Sequence, residues 1–552
     1  MNITEPTGAQ AIPEAVISGG ESIMLSKMDH DTLGQMSEIS WPKHAIRDGL
    51  IFTAGSIVYL LPFMRVLLNT DEGLLTYGAT RVSQGQVFGR DFFEIVGPGT
   101  FYWVALFFKV LGGTFFAART CLFLTSLTSA LLIYALSRRI CDRHQLLPCA
   151  VIAGASFGAI WPTISHHVDS NCAALLSVYF VTLWLDTSKP KFLWAAGVAA
   201  GATAWFHLPK GVLLLSALLV WALLRRHSRS TWWRNILPVV GGFSVFAGCV
   251  LLYFARQRAL GDMFNATLIW PSQHYGAVNA LPYAHGIVSQ YWGLWAVSTT
   301  GLQWTEILAS ILIVPLLFIA LLPLVLPLLG LADRRSFIRP EISLLWLCGC
   351  AMWYSEFHRK DICHLVFGSP LLVILAVYYL QRSRNWWRDV GLQILLVSAS
   401  CLALANLALV GVAHVTQTRV GRVWLFKPDN VLAQMQQRIP VGEEILVYPS
   451  NPEYYFLTQT RNPIRFGGLM YNYNKRADFE DVVDILEQHK VKHVVWDTEF
   501  MDRNLKAIFP SATPATSAQL VVEPYLEAHY TIVWEEAGVK IMERRGDRNA
   551  TK

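Results

Sequence analysis

The sequence predicts a polytopic α-helical membrane protein of about eleven spans, ending in a small α/β domain on the outer face. Three observations lead there. Of 552 residues, 53% are hydrophobic and 15% charged, where soluble domains carry about 25% charged residues; mean hydropathy is +0.37. Apolar runs of about 17–25 residues, each long enough to cross a bilayer, recur from Leu50 to Val412. Beyond Val412 charges, Pro and Asn return, and short strand-like and helix-like stretches replace the apolar runs.

Residues 1–47 are polar, rich in Gly, Ser and Glu, and lack the apolar stretch of a signal peptide. They read as a disordered cytoplasmic tail, and the first span is itself the targeting signal. Residues 48–413 form the membrane domain. Its basic residues cluster in five turns: Arg138, Arg139 and Arg143; Lys189 and Lys191; Arg225, Arg226, Arg229 and Arg234; Arg334, Arg335 and Arg339; and Arg382, Arg384 and Arg388. The positive-inside rule puts these turns, with Lys43 and Arg47, in the cytoplasm. The net charge of +6 is therefore a topology signal, and no nucleic-acid partner is expected. Segments near 69–98, 165–170, 207–211, 257–304 and 355–364 then face outward, and the C-terminus lies outside. Thr100 to Gly112 is apolar but short, and counting it as a span would put Arg138 and Arg139 outside, so it reads as a helix at the outer interface.

Residues 414–552 form the outer domain. Glu444 to Pro449 reads as a strand, Asp478 to His489 as an amphipathic helix and Val491 to Trp496 as a second strand, a parallel strand–helix–strand unit. His529 to Trp534 and Val539 to Glu543 read as a closing hairpin. All nine cysteines lie between Cys121 and Cys401, so this domain has no disulfide framework.

Ionisable residues at span ends are expensive and therefore informative. Asp71 and Glu72 stand side by side just past the first apolar run, which ends at Leu68. With them on the outer side are Arg81, Arg90, Asp91, Glu94, His166, His167, Asp169, His207, Lys210, His274, His285, Arg359, Lys360, Asp361 and His364. Each taken singly reads as a solvated loop residue; acids, imidazoles and bases gathered on one face suit chemistry better. Activating a hydroxyl needs a general base, a departing phosphate needs Arg or Lys, and a divalent metal would use oxygen and imidazole ligands. Asp169 follows His166-His167-Val168 in a short outward turn, close enough to the membrane plane to meet Asp71.

Asp71-Glu72-Gly73, then Phe92-Phe93-Glu94-Ile95-Val96-Gly97-Pro98-Gly99-Thr100-Phe101-Tyr102-Trp103, Phe108-Lys109-Val110-Leu111-Gly112 and Ala117-Ala118-Arg119 resemble the membrane glycosyltransferases of the GT-C superfamily. The protein O-mannosyltransferases and lipid A aminoarabinose transferases are nearest in pattern. The resemblance covers residues 50–225 well and later spans by architecture. It implies transfer of a sugar from a polyprenyl-phosphate donor to a hydroxyl acceptor on the outer face of a bacterial plasma membrane, with inversion. Asp71 matches the catalytic acid, Glu72 its partner, and Asp169 a second outer-loop acid. Glu94 matches an acid that binds zinc with a later histidine, for which His274 is the counterpart; Zn, Mg or Mn is the cofactor expected, and no organic one.

The pattern breaks at Ile95, where a basic residue is expected to meet the lipid phosphate. Lys210, in Pro209-Lys210-Gly211, resembles the family's Lys-Gly step and can supply that charge. Arg359-Lys360-Asp361-Ile362-Cys363-His364 resembles an Arg-x-Asp-x-x-His motif of bacterial members. Arg359, Lys360 and His364, with Arg81, complete the expected substrate-binding set. Tyr448 to Thr458 and Arg461-Asn462-Pro463 resemble the outer domain of bacterial relatives and read as turns and core aromatics, with acceptor contact the alternative. A transporter or flippase of lipid-linked or charged solutes is the competing class. It commonly shows inverted repeats and midplane sites, and neither is visible here.

Overall fold

The computed structural model describes residues 43–67, 70–142, 144–156, 162–224, 232–276, 279, 281–287, 312–333, 338–382, 386–471, 474–500 and 515–546. Most of the expected cytoplasmic tail, Arg143, Arg225, Arg226, Arg229, Arg334, Arg335 and Arg384 of the basic turns, and positions 288–304 of one outward segment lie outside the described residues. The chain divides into units Met1–Ile51 and Phe52–Lys552, and the site described below lies wholly in the second.

In chain order the helices are α1 (Lys43–Leu60), α2 (Thr70–Ser83), α3 (Gly99–Leu111), α4 (Phe115–Ile140), α5 (Leu147–Ala155), α6 (His166–Thr187), α7 (Pro190–Phe206), α8 (Leu208–Leu224), α9 (Trp232–Arg256), α10 (Leu260–Phe264), α11 (Val314–Ala332), α12 (Pro340–Ser355), α13 (Ile362–Gly368), α14 (Pro370–Arg382) and α15 (Trp386–Gly411). Among the described residues six helices are long and apolar enough to cross a membrane, or seven if α13 and α14, bent by 74° at Ser369, count as one. This is fewer than the eleven expected. Apolar α7, α8 and α12, at 17, 17 and 16 residues, are shorter than that length, because His207, the Pro340 start and Glu356 cut their runs.

The segment expected at the interface is α3, a 13-residue helix. It stops at Gly112, whose φ of +86° is the left-handed backbone that glycine adopts without a Cβ penalty. Its buried face (Phe101, Val104, Ala105, Phe108) joins Phe88, Phe92 and Phe115 in one apolar cluster that extends to Tyr455 and Phe456 of the C-terminal region. A second cluster fills the space among α4 to α8, α11, α12, α14 and α15.

The C-terminal region opens on an antiparallel pair, β1 (His414–Thr418) and β2 (Gly421–Leu425), then α16 (Asn430–Arg438), β3 (Ile445–Tyr448), α17 (Glu453–Leu457), α18 (Arg476–Gln488), β4 (His493–Asp497), α19 (Val522–His529), β5 (Tyr530–Glu536) and β6 (Val539–Arg544). The four-stranded sheet has the order β3-β4-β6-β5. β3 and β4 are parallel, with Ile445 opposite His493, and β5–β6 is the antiparallel hairpin. The expected strand–helix–strand unit and hairpin are therefore present. β3 and β4 are buried along their whole length, which is why Ile445 to Tyr448 and the Val494 to Trp496 centre of β4 are runs of apolar residues instead of alternating.

Candidate active site

Asp71 sits in the first turn of α2. Its side chain is exposed, yet protein surrounds it closely enough for desolvation to raise its pKa, against the opposing pull of Arg359 and His364 and with Glu72 adding to the rise. Arg359 and His364 belong to the basic motif anticipated in the sequence. Asp361 caps α13 by accepting from the His364 backbone N–H at 2.9 Å, and the same carboxylate meets His364 Nδ1 at 2.7 Å and Arg359 Nε at 2.6 Å. Arg359 Nη1 also donates to Asn279 Oδ1 at 2.9 Å. Although burial pushes the Asp361 carboxyl up, His364 and Arg359 hold it well below the usual range. Asp361 is thus an ionised clamp that orients both bases.

Three structural features hold Asp71 there. Its neighbour Glu72 points the other way. It is fully buried, pairs with Arg119 Nη2 of α4 at 2.7 Å and accepts from Ile164 N–H at 2.7 Å. Gly73 faces the C-terminal region: a Cβ there would fall 2.2 Å from Glu453 Cβ and 2.6 Å from Glu453 Cα, so α2 meets the α17 backbone only because position 73 has no side chain. Tyr77, one turn on, stacks on Tyr455 at 4.8 Å and its hydroxyl accepts from Asn462 N–H at 2.7 Å. The Asp-Glu-Gly triplet therefore divides three tasks: Asp71 stands within electrostatic reach of Arg359 and His364, Glu72 anchors to α4, and Gly73 lets α2 meet the C-terminal region. That docking brings Glu453 within electrostatic reach of Asp71, and burial pushes the Glu453 carboxyl up to about 8.

Other expected site residues are placed elsewhere. Arg81 is buried, donating to Gln86 Oε1, to Ile464 O at 3.1 Å and to Asp91 O at 2.9 Å, with Phe92 5.1 Å from its guanidinium. It ties α2 to the C-terminal region. Asp169 is buried on the first turn of α6, accepting from Thr100 Oγ1 of α3 at 2.7 Å; it is no loop carboxylate and joins α6 to α3. Lys210 is fully buried, with Nζ 2.7 Å from both Glu356 Oε1 and Asn171 Oδ1, so its charge is already compensated. Lys360 lies 5.9 Å from the Phe357 ring.

Glu94 nests against Gly467, where a Cβ would come 2.0 Å from its Oε1; burial pushes its carboxyl up to about 8, with Arg81 opposing. His274 stacks on Trp270 at 5.0 Å and Trp270 on Phe93 at 5.6 Å, and its Nδ1 meets Trp270 O at 3.1 Å. Two donors do not make a metal site. Among the described residues, neither Glu94 nor His274 belongs to a group of three clustered ligating side chains.

Such groups form instead around His207: His166, His167 and His207, and His207, Glu356 and His358. The ring centroids of His166, His167, His207, His358 and His364 run from 4.0 to 6.5 Å between neighbours. Burial holds His207 and His358 below the ordinary histidine pKa, which keeps their imidazoles neutral. Glu356, though buried, is held ionised by the Lys210 ammonium. The sequence reading did not single out Glu356, His358, Asn279 or Arg119. An acid and a histidine flanking the end of an apolar run, as in Ser355-Glu356-Phe357-His358, were the available signal for two of them.

Residues 96–254 match the sequence pattern of the dolichyl-phosphate-mannose-protein mannosyltransferase family. Two solved structures of ArnT from Cupriavidus metallidurans are similar to this chain. One is bound to undecaprenyl phosphate (TM-score 0.58, 14% identity) and one is in the apo state (0.54, 13%); each comparison covers 90% of this chain and 98% of ArnT. The chain has the fold of the GT-C membrane glycosyltransferases. Arabinofuranosyltransferase AftD from Mycobacteria also shares it, at TM-score 0.50 and 12% identity over 90% of this chain and 40% of AftD. No curated protein matches by sequence. The matched segment runs from the loop before α3 to the end of α9, and the Arg359 to His364 motif within electrostatic reach of Asp71 lies beyond it.

Proposed function

We propose that the protein transfers a sugar from a polyprenyl-phosphate donor to a hydroxyl acceptor at the outer face of a bacterial plasma membrane. The observation that carries this reading is that the Arg359 guanidinium and the His364 imidazole lie within electrostatic reach of the Asp71 carboxylate. Asp71 takes the acceptor hydroxyl proton, and the hydroxyl oxygen forms a bond to the anomeric carbon. The bond from that carbon to phosphate breaks, and its electron pair leaves with the polyprenyl phosphate. Arg359 and His364 neutralise the growing phosphate charge, the form of electrostatic stabilisation worth most where water is excluded. Attack opposite the leaving phosphate inverts the sugar.

In this reading the N-terminus is cytoplasmic, the chain crosses the membrane about eleven times, and the C-terminal domain is periplasmic or extracellular. Lys210, Asp169, Glu72 and Arg81 position groups and do not touch substrate. Glu94 and His274 supply two ligands at most, so no step runs through a metal between them. ArnT was captured with undecaprenyl phosphate, which supports a lipid phosphate as the leaving group. The test is purified protein with a labelled polyprenyl-phosphate sugar and membrane extract as acceptor source. Release of polyprenyl phosphate with label appearing in a non-donor product supports the reading. Movement of intact donor across a proteoliposome bilayer without bond cleavage would favour a flippase.

A further inference from the structure

We propose that His207, Glu356 and His358 form a binding site for a divalent transition-metal ion, zinc being the best match. One ligand atom from each lies within 4.8 Å of those of the other two. Two imidazoles and a carboxylate are a ligand set zinc takes when it keeps a fourth position open. The zinc bonds are about 2.0–2.1 Å, so tetrahedral ligand atoms stand about 3.4 Å apart, and side-chain rotations of about an ångström close the set.

Two observations independent of this spacing point to a ligand. His207 Nδ1 and Glu356 Oε2 are buried atoms with no hydrogen-bond partner, on side chains that are 8% and 0% exposed. Orphaned buried polar atoms are costly and in native structures mark an ion or ordered water. Lys210 and Asn171 occupy the other side of the group: Lys210 Nζ holds Glu356 Oε1, which keeps the carboxylate ionised and leaves Oε2 turned toward the histidines. His167 Nδ1 lies 3.1 Å from Oε2 and shares a hydrogen bond of 3.3 Å with Oε1, so the carboxylate is held from the Lys210 and His167 sides while Oε2 keeps no hydrogen-bond partner. The third ligand is preset too. His358 Nδ1 lies 3.0 Å from Ser355 O, an arrangement that puts the proton on Nδ1 and the lone pair on Nε2, as outer contacts do for metal-bound histidines. His358 is exposed, which gives the ion a way in.

The cluster adjoins the Arg359–Asp361–His364 motif, since the His358 and His364 rings are 5.5 Å apart. The ion therefore lies beside the groups assigned to the leaving phosphate, but the proposal does not depend on the transfer reaction. It is also separate from the Glu94 and His274 pair.

The test is metal binding by the full-length protein in detergent, stripped with chelator and titrated with Zn²⁺ by calorimetry, with Co²⁺ absorption reporting ligand geometry. The expected result is one ion per chain with the visible bands of tetrahedral cobalt. His207→Ala and His358→Ala each weaken binding by about 100-fold or more, and Glu94→Gln and His274→Ala leave it unchanged. Glu356→Gln also leaves Lys210 unpaired and is prone to misfold, so the exposed His358 carries the decision. Stoichiometric zinc retained unweakened in a folded His358→Ala protein overturns the proposal. So does zinc lost in Glu94→Gln or His274→Ala, or no zinc bound by the wild type.

Discussion

Replacing Glu72 by Gln isolates the charge that anchors α2 to α4. Glutamine keeps an oxygen for the Ile164 N–H but cannot neutralise Arg119, which is 1% exposed and 2.7 Å away. At 2.7 Å the attraction is about 6 kcal/mol for an effective dielectric constant of about 20. Most of that offsets the removal of both ions from water, so the pair adds little beyond two well-packed apolar groups. Removing one partner is different, because the other charge stays buried, and the cost is about 3–5 kcal/mol. Glu72→Gln and Arg119→Leu should therefore each lower the unfolding temperature sharply in detergent, followed by tryptophan fluorescence. The double change Glu72→Leu with Arg119→Leu should recover most of the loss and restore turnover, since Asp71 itself is untouched. A single variant as stable as wild type, or a double variant as unstable as both singles summed, would refute the anchoring role.

Gly73→Ala should loosen the outer domain, because its Cβ meets the Glu453 backbone; overpacking costs about 1–3 kcal/mol or more, and limited proteolysis between residues 414 and 552 should accelerate. Asp71 must be ionised to act as a base, and its pKa lies above the ordinary carboxylate value. The rate kcat/KM should therefore be full at high pH and fall as pH drops through that raised value, and Arg359→Gln, which removes a lowering influence, should move the acid limb upward; an unmoved limb argues against their proximity. Arg359→Ala should reduce kcat by about 10²-fold or more, the scale for losing one transition-state donor, measured at saturating donor.

Much of the fold was legible because its signals are local. The β3–α18–β4 unit and the final hairpin depend on composition and periodicity along the chain, and the structure has them; of the eleven expected spans, six or seven helices of span length stand among the described residues. The contacts within the Arg359–Asp361–His364 motif were legible because their spacing along the chain is short. The surroundings of Lys210, Asp169 and Arg81 were not legible, for one physical reason. Each has a partner far along the chain (Glu356, Thr100 and Ile464), and a cation or acid whose partner is distant in sequence looks free when read in one dimension. Glu356, and the pairing of Arg119 that its motif did not reveal, went unnoticed for the complementary reason: each closes a pair with a residue credited with another task. The glycine of Asp71-Glu72-Gly73 was quoted as motif, but only the approach of Glu453 gives it a cause.

The most direct test of the account is turnover of a labelled polyprenyl-phosphate sugar by wild-type and Asp71→Asn proteins, matched for membrane abundance and thermal stability. Asparagine is nearly the same shape and should leave donor binding intact while removing the base. The account predicts normal donor Kd and a loss in kcat of about 10²-fold or more, the usual scale for a general base. Near wild-type kcat in a folded Asp71→Asn protein would contradict it.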